Sequence, residues 1–154
     1  MSQVEYTLIT DTREQNPLPF RKTLVKKLDF GDYGAEINGE LLPIVFERKS
    51  PMDALQTITK DHDRFKEEMW RALEAGYKLI VIIECSYTDF IEKKFEGAYH
   101  SKLRPDILTK ILHKMQVRYN LEFVFCKDRS EACHYIRNLF NSLAEEYMLV
   151  MKAK

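Results

Sequence analysis

The sequence predicts a single α/β domain, a mixed central β-sheet with helices on its faces. Three observations predict it. The first 50 residues hold short β-branched and aromatic runs broken by turn residues. The rest alternates apolar stripes of helical period with short apolar strands. No repeat, low-complexity tract or Pro/Gly/Ser-rich linker interrupts the 154 residues. Strands first, then strands alternating with helices, build one sheet covered by helices, and a chain of this length can bury such a core.

Val4 to Thr10 is rich in β-branched and aromatic side chains and reads as a strand ending at Asp11. Arg13 to Pro19 carries two prolines and reads as loop, and Thr23 to Leu28 as a short strand. Asn38-Gly39 is the preferred pair of a two-residue type I′ hairpin, joining Asp32–Ile37 to Glu40–Glu47. Ser50-Pro51-Met52-Asp53 opens a helix: serine suits the N-cap, proline the first helical position, and an acid the first turn. Met52, Leu55 and Ile58 line its inner face. A second helix starts at Asp61 or Asp63, carries a stripe of Phe65, Met69, Ala72 and Leu73, and stops at Gly76. Lys78 to Glu84 is a buried strand, Asp106 to Tyr119 a helix and Glu122 to Cys126 another strand. Asp128 and Glu131 form a capping-box start to a last helix that turns Ile136, Leu139, Phe140 and Leu143 inward.

Composition removes several classes of protein. With 45% hydrophobic, 12% aromatic and 31% charged residues, the chain is neither disordered nor collagen-like. No uninterrupted apolar run exceeds the five residues Leu79 to Ile83, and the first residues lack a signal-peptide pattern, so no membrane association is expected. Cys85, Cys126 and Cys133 make no C-x-x-C pair and the four histidines show no zinc spacing, which fits a reducing, cytoplasmic compartment. Lys and Arg number 24 against 24 Asp and Glu, which argues against a protein that coats nucleic acid without specificity. Residues 101–154, however, carry 10 basic and 6 acidic side chains, a surplus of +4.

The chemistry gathers at the hairpin. If Asn38-Gly39 is the turn, paired positions sum to 77 and Asp32 faces Val45. Alternation then sends Asp32, Val45, Glu47 and Lys49 to one side, with diagonal neighbours about 7–8 Å apart. A bulge near Gly34 or Pro43 would shift that register. Two carboxylates and an ammonium converging at a strand end call for a cation or partner. Magnesium takes oxygen ligands, keeps several waters and commonly uses one or two carboxylates with substrate phosphate. Asp32 and Glu47-x-Lys49 therefore suit metal-assisted phosphodiester hydrolysis. Glu-x-Lys alone carries little weight: about 1.5 chance occurrences are expected from this composition, and two exist, the other at Glu92-Lys93-Lys94. The bland reading is a set of edge charges beside a helix cap.

Gly31-Asp32 followed by Glu47-Arg48-Lys49-Ser50-Pro51-Met52-Asp53 resembles the G-D-x(n)-E-R-K-x-x-x-D signature of the XPF-type structure-specific endonucleases, a group with archaeal Hef-like and Mus-type members. Asp11-Thr12-Arg13-Glu14 resembles the D-x-R-E strand end of that family, and Leu28 to Tyr33 the stretch leading into its G-D-Y. The likeness runs loosely over most of residues 5–145.

The resemblance implies a restriction-endonuclease-like nuclease fold that cuts branched, flapped or junction DNA in repair or recombination, with Mg²⁺ or Mn²⁺. Asp32 and Glu47 would hold the metal, Asp11 would assist that site, and Lys49 would serve the attacking water. Arg13, Glu14, Arg48 and Asp53 would complete the charged cluster by touching phosphate or by holding neighbours, with Arg64 a further contact. Each has a plainer alternative: Asp53 as a helix N-terminal acid, Arg48 as a salt-bridge partner, Glu14 as a loop charge, Arg64 as an exposed helix residue. Family members commonly carry a C-terminal helix-hairpin-helix domain; the motif is not seen here, so residues 1–154 are expected to be the nuclease domain alone, in a prokaryote or virus. Pairing of the later helices implies a homodimer, to which the apolar Tyr147 to Met151 could contribute, although core packing is the plainer reading of that tail. A DNA-targeting partner protein is a further expectation. The rival to an enzyme is a catalytically silent DNA-binding or interaction module that positions an active partner.

Overall fold

The computed structural model describes residues 4–153. Seven strands, β1 (Thr7–Thr10), β2 (Leu24–Val25), β3 (Tyr33–Ile37), β4 (Glu40–Leu41), β5 (Ile44–Lys49), β6 (Lys78–Ile83) and β7 (Glu122–Phe125), form one sheet. Among the described residues five α-helices accompany them: α1 (Pro51–Thr59), α2 (His62–Glu74), α3 (Tyr87–Ile91), α4 (Pro105–Tyr119) and α5 (Arg129–Ala153). The strand order is β2-β1-β3-β5-β6-β7, with β4 paired to β3. β3 runs antiparallel to β1 and β5, whereas β5, β6 and β7 are parallel, as the α1–α2 and α3–α4 crossovers require. This is the mixed, helix-flanked single sheet that the sequence predicts.

The two sheet faces bury different sets. On one, Val45, Leu79, Val81, Ile83 and Phe123 pack against Leu55 and Ile58 of α1, Phe65 and Met69 of α2, and Leu108, Leu112 and Met115 of α4. On the other, Tyr33, Phe46, Ile80 and Ile82 meet Ile136, Phe140 and Ala144 of α5. β6 is buried on both faces, which explains its continuous apolar run. The tail splits. Tyr147 and Met148 pack against the second core, and Tyr147 also donates a 2.7 Å hydrogen bond to Glu40, while Leu149, Val150 and Met151 are exposed.

Local signals set most boundaries. The Ser50 hydroxyl accepts the Asp53 N–H at 3.1 Å, capping α1. Asp128 accepts the Glu131 N–H at 2.8 Å, while the Glu131 carboxylate reaches the Lys127 N–H rather than that of the cap. Asn38 and Gly39 both take positive φ, +52° and +81°, as a type I′ turn demands.

The strand foreseen from Val4 begins only at Thr7, Leu73 of the α2 stripe is exposed, and three further expectations need correction. The strand foreseen over Thr23–Leu28 is only Leu24–Val25, because the chain leaves the sheet after Lys26 to bury Leu28 and carry its N–H to the Asp11 carboxylate at 2.7 Å. α3, five residues capped by the Ser86 hydroxyl, was not foreseen; it is too short for periodicity to reveal. The hairpin register is the third. Ile37 pairs with Glu40 as expected, but Tyr33 pairs with Phe46, so the sum moves from 77 to 79. Leu42 keeps the first register, its N–H on the Ala35 carbonyl, so the two extra residues are Pro43 and Ile44, where the Pro43 carbonyl takes the Lys78 N–H. A shift of two preserves the alternation, so Glu47 and Lys49 keep their foreseen face.

Candidate active site

Main-chain hydrogen bonds gather the ends of β1, β3 and β5 into one place. The Asp11 N–H donates to the Asp32 carbonyl at 2.8 Å, and the Asp32 N–H to the Phe46 carbonyl at 2.7 Å. Gly31 makes this approach possible. Its φ is +74°, and a Cβ there would meet the Phe46 carbonyl oxygen at 2.8 Å, closer than real contacts allow. Asp32 is thereby pressed against β5, where its carboxylate accepts the Arg48 N–H at 2.8 Å.

β5 ends in Glu47-Arg48-Lys49, which alternate faces. Glu47 and Lys49 follow Val45 toward α1 and α2. The Lys49 ammonium lies 5.7 Å above the centre of the Phe65 ring, within cation–π range. Glu47 as a residue is half-buried, yet its Oε2 is shut from solvent and has no hydrogen-bond partner. Burial raises the Glu47 carboxyl well above the ordinary range; Lys49 opposes the rise, and Glu68 and Asp32 add to it. Burial likewise pushes Asp32 up to about 6, against the pull of the Arg48 N–H, with Glu14 adding to the rise. Two carboxylates held in surroundings that penalise their charge, one oxygen unpartnered, fit a hard divalent cation that keeps part of its water shell. Among the described residues no group of three or more His, Cys, Asp or Glu side chains is placed to hold a metal. The two carboxylates that could hold such an ion are Asp32 and Glu47.

The other foreseen residues fall into two groups. Asp11 is buried, 2% exposed, and its carboxylate is already engaged by the N–H groups of Leu28 and Arg13 and by the Arg13 guanidinium. Burial raises its pKa, but those donors more than offset that and hold it below the ordinary value. It ties the β1 end to the following loop, beside rather than inside the Asp32–Glu47 pair. Glu14 also points inward: its two oxygens bind the Arg48 guanidinium and one accepts a hydrogen bond from the Tyr33 hydroxyl at 3.1 Å. Arg48 is mostly buried between Glu14 and Glu84. Arg13, Asp53 and Arg64 face solvent. Arg13 keeps a 62% exposed side chain despite its bond to Asp11, Asp53 sits in the first turn of α1, and Arg64 lies on the outer side of α2.

Sequence reasoning missed four neighbours. Glu84 follows β6 directly and pairs with Arg48, Tyr33 braces Glu14, Phe65 carries the Lys49 ammonium, and Glu68 adds negative charge near Glu47 and Arg13. Only Tyr33 had a signal, its place after Gly31-Asp32; the others come from separate strands and helices that no spacing links.

Comparison with known proteins bears on the fold and the family. Solved structures that share the fold include XPF from Aeropyrum pernix (21% identity, TM-score 0.63, covering 92% of this chain and 65% of that one) and the same protein in complex with DNA (22% identity, TM-score 0.61, 97% and 67%). The chain thus spans just under two thirds of the first. No curated protein sequence matches. The ERCC4 domain profile matches residues 4–139, across every strand and the first part of α5. The chain therefore belongs to the ERCC4 domain family, a family of nuclease domains.

Proposed function

We propose that this chain is a Mg²⁺- or Mn²⁺-dependent endodeoxyribonuclease that hydrolyses phosphodiester bonds at branched, flapped or junction DNA. The observation that carries the reading is the buried, unpartnered Glu47 Oε2 set near Asp32 and Lys49. Asp32 and Glu47 are the two residues suited to hold the ion. When bound, such an ion polarises a phosphoryl oxygen and makes water a better nucleophile. Lys49, steadied over Phe65, orients the attacking water or stabilises the phosphate as negative charge builds. Asp11 supports the site by fixing the β1 end, and the exposure of Arg13 and Arg64 supports a role for them in meeting backbone phosphates. Asp53 adds a carboxylate beside the α1 cap.

The three buried cysteines, free of disulfides, support a reducing cytoplasmic setting, and among the described residues no helix is long and apolar enough to cross a membrane. The reading includes a homodimer. The exposed Leu149, Val150 and Met151 of α5 support it, and light scattering is then expected to give about twice 18.3 kDa; a clean monomer at high concentration removes the dimer.

The test is cleavage of labelled duplex, single-stranded, flap, fork and four-way DNA with Mg²⁺, Mn²⁺ or EDTA. Cutting is expected with either metal, to vanish in EDTA, and to be strongest on one of the branched substrates. A folded chain that binds these DNAs and cuts none of them is instead the silent module that positions an active partner.

A further inference from the structure

The side chain of Arg48 is engaged almost fully from within the protein. Its Nε and one Nη bind the two oxygens of Glu14 at 3.2 and 2.9 Å, the same Nη donates to the Asn16 carbonyl at 2.9 Å, and the other Nη binds Glu84. Four of the five N–H donors of a guanidinium are used. The side chains of Arg48, Glu14 and Glu84 are 14%, 8% and 15% exposed. Glu84 is itself fixed, since its N–H donates to the Lys49 carbonyl at 3.1 Å, where β6 leaves the sheet beside β5. Glu14 is fixed by Tyr33, whose hydroxyl also accepts the Leu18 N–H at 2.8 Å. A continuous strut thus runs from the loop after β1, through Arg48, to the end of β6. Its centre is the residue whose backbone N–H holds Asp32.

We propose that Glu84 is a positioning residue for the Asp32–Glu47 site: with Glu14 it locks Arg48 as an internal strut that sets the end of β5, and Arg48 makes no contact with DNA phosphate. The inference rests on the endonuclease reading and deepens it. Two carboxylates share one guanidinium, so the strut also leaves net negative charge beside Asp32, which favours a cation there. Removing the Glu84 carboxylate loosens the end of β5 and with it the geometry of both carboxylates. A glutamine keeps the acceptor oxygen and much of the strut.

The test compares wild type, Glu84→Ala, Glu84→Gln and Arg48→Ala in three measurements: Mn²⁺ binding by calorimetry, cleavage kinetics, and the salt dependence of DNA binding without divalent metal. Glu84→Ala is expected to weaken Mn²⁺ binding and lower kcat at least tenfold, with KM for DNA changed less than twofold. Glu84→Gln should recover most of the loss. Arg48→Ala should leave the slope of log affinity against log salt unchanged, whereas loss of a phosphate contact would reduce it by about 1. A reduced slope, or Glu84→Ala matching wild type in Mn²⁺ affinity and kcat, overturns the proposal. Glu84→Ala that only lowers thermal stability, with both readouts intact, overturns it as well. Wild type that takes up no Mn²⁺ refutes the endonuclease reading itself, and the Glu84 proposal falls with it. Mn²⁺ uptake without cutting still tests Glu84 through its effect on affinity.

Discussion

Asp32→Asn is expected to cut DNA at least about a thousandfold more slowly than wild type while being the more stable protein at neutral pH without metal. Asparagine keeps the size of the side chain and an oxygen for the Arg48 N–H, so the strand ends stay together. It loses the charge that a divalent ion would need. The stability gain follows from the raised pKa. Between 3.8 and about 6 the folded chain holds a proton on Asp32 that the unfolded chain has released. More protons bound in the folded state means that wild-type stability falls as pH rises through that window. Above it the charged carboxylate costs up to about 3 kcal/mol, which asparagine avoids. Urea unfolding in EDTA should therefore show no difference at pH 4 and a clear advantage for Asp32→Asn at pH 7. Adding Mn²⁺ at pH 7 should stabilise wild type and leave the variant unmoved, since an ion that binds only the folded site shifts the equilibrium by mass action. A variant that still cuts removes Asp32 from the site. One that is less stable at pH 7 in EDTA shows that its charge is matched by groups other than those seen here.

The parts of this site that were legible in the sequence are those set by local chemistry. Asn38-Gly39 fixes a turn by its own φ preferences, Ser50-Pro51 starts a helix wherever the chain goes, and alternation along β5 separates Glu47 and Lys49 from Arg48 without knowledge of the sheet. The register was less secure. A two-residue excess at Pro43-Ile44 moves every pairing beyond it, yet leaves the faces right because two is the period of a strand. What the sequence hides is contact across elements. Glu84 and Arg48 are 36 positions apart and meet only because β5 and β6 pair with Lys49 beside Ile83. Likewise Asp11, expected to assist the metal site, finds its donors at Leu28, beyond a loop whose path no propensity describes. Glu14 and Arg48 are a similar case: a charge cluster in sequence suggests phosphate contact, and only burial and pairing favour an internal role.

The second large effect is expected at Lys49. Lys49→Ala should lower kcat by about 10²–10⁴-fold, the range for loss of a positioned group that moves a proton or steadies developing charge, with KM for DNA changed no more than threefold. The ammonium is drawn inward over Phe65 and lies near two carboxylates, so it is poorly placed to act as a peripheral phosphate clamp. Its removal has a second consequence. Lys49 opposes the raised pKa values of both Asp32 and Glu47, so without it both carboxyls titrate higher. The acid limb of the pH–rate profile should move to higher pH, and raising Mn²⁺ should recover part of that shift without restoring the lost kcat. Lys49→Arg should not rescue turnover, because a planar guanidinium stacked on Phe65 cannot present its donors as a compact ammonium does. Were the loss confined to DNA affinity, with kcat intact and the pH profile unmoved, Lys49 would be a phosphate ligand. The water-orienting role would then have to pass to another group near Glu47.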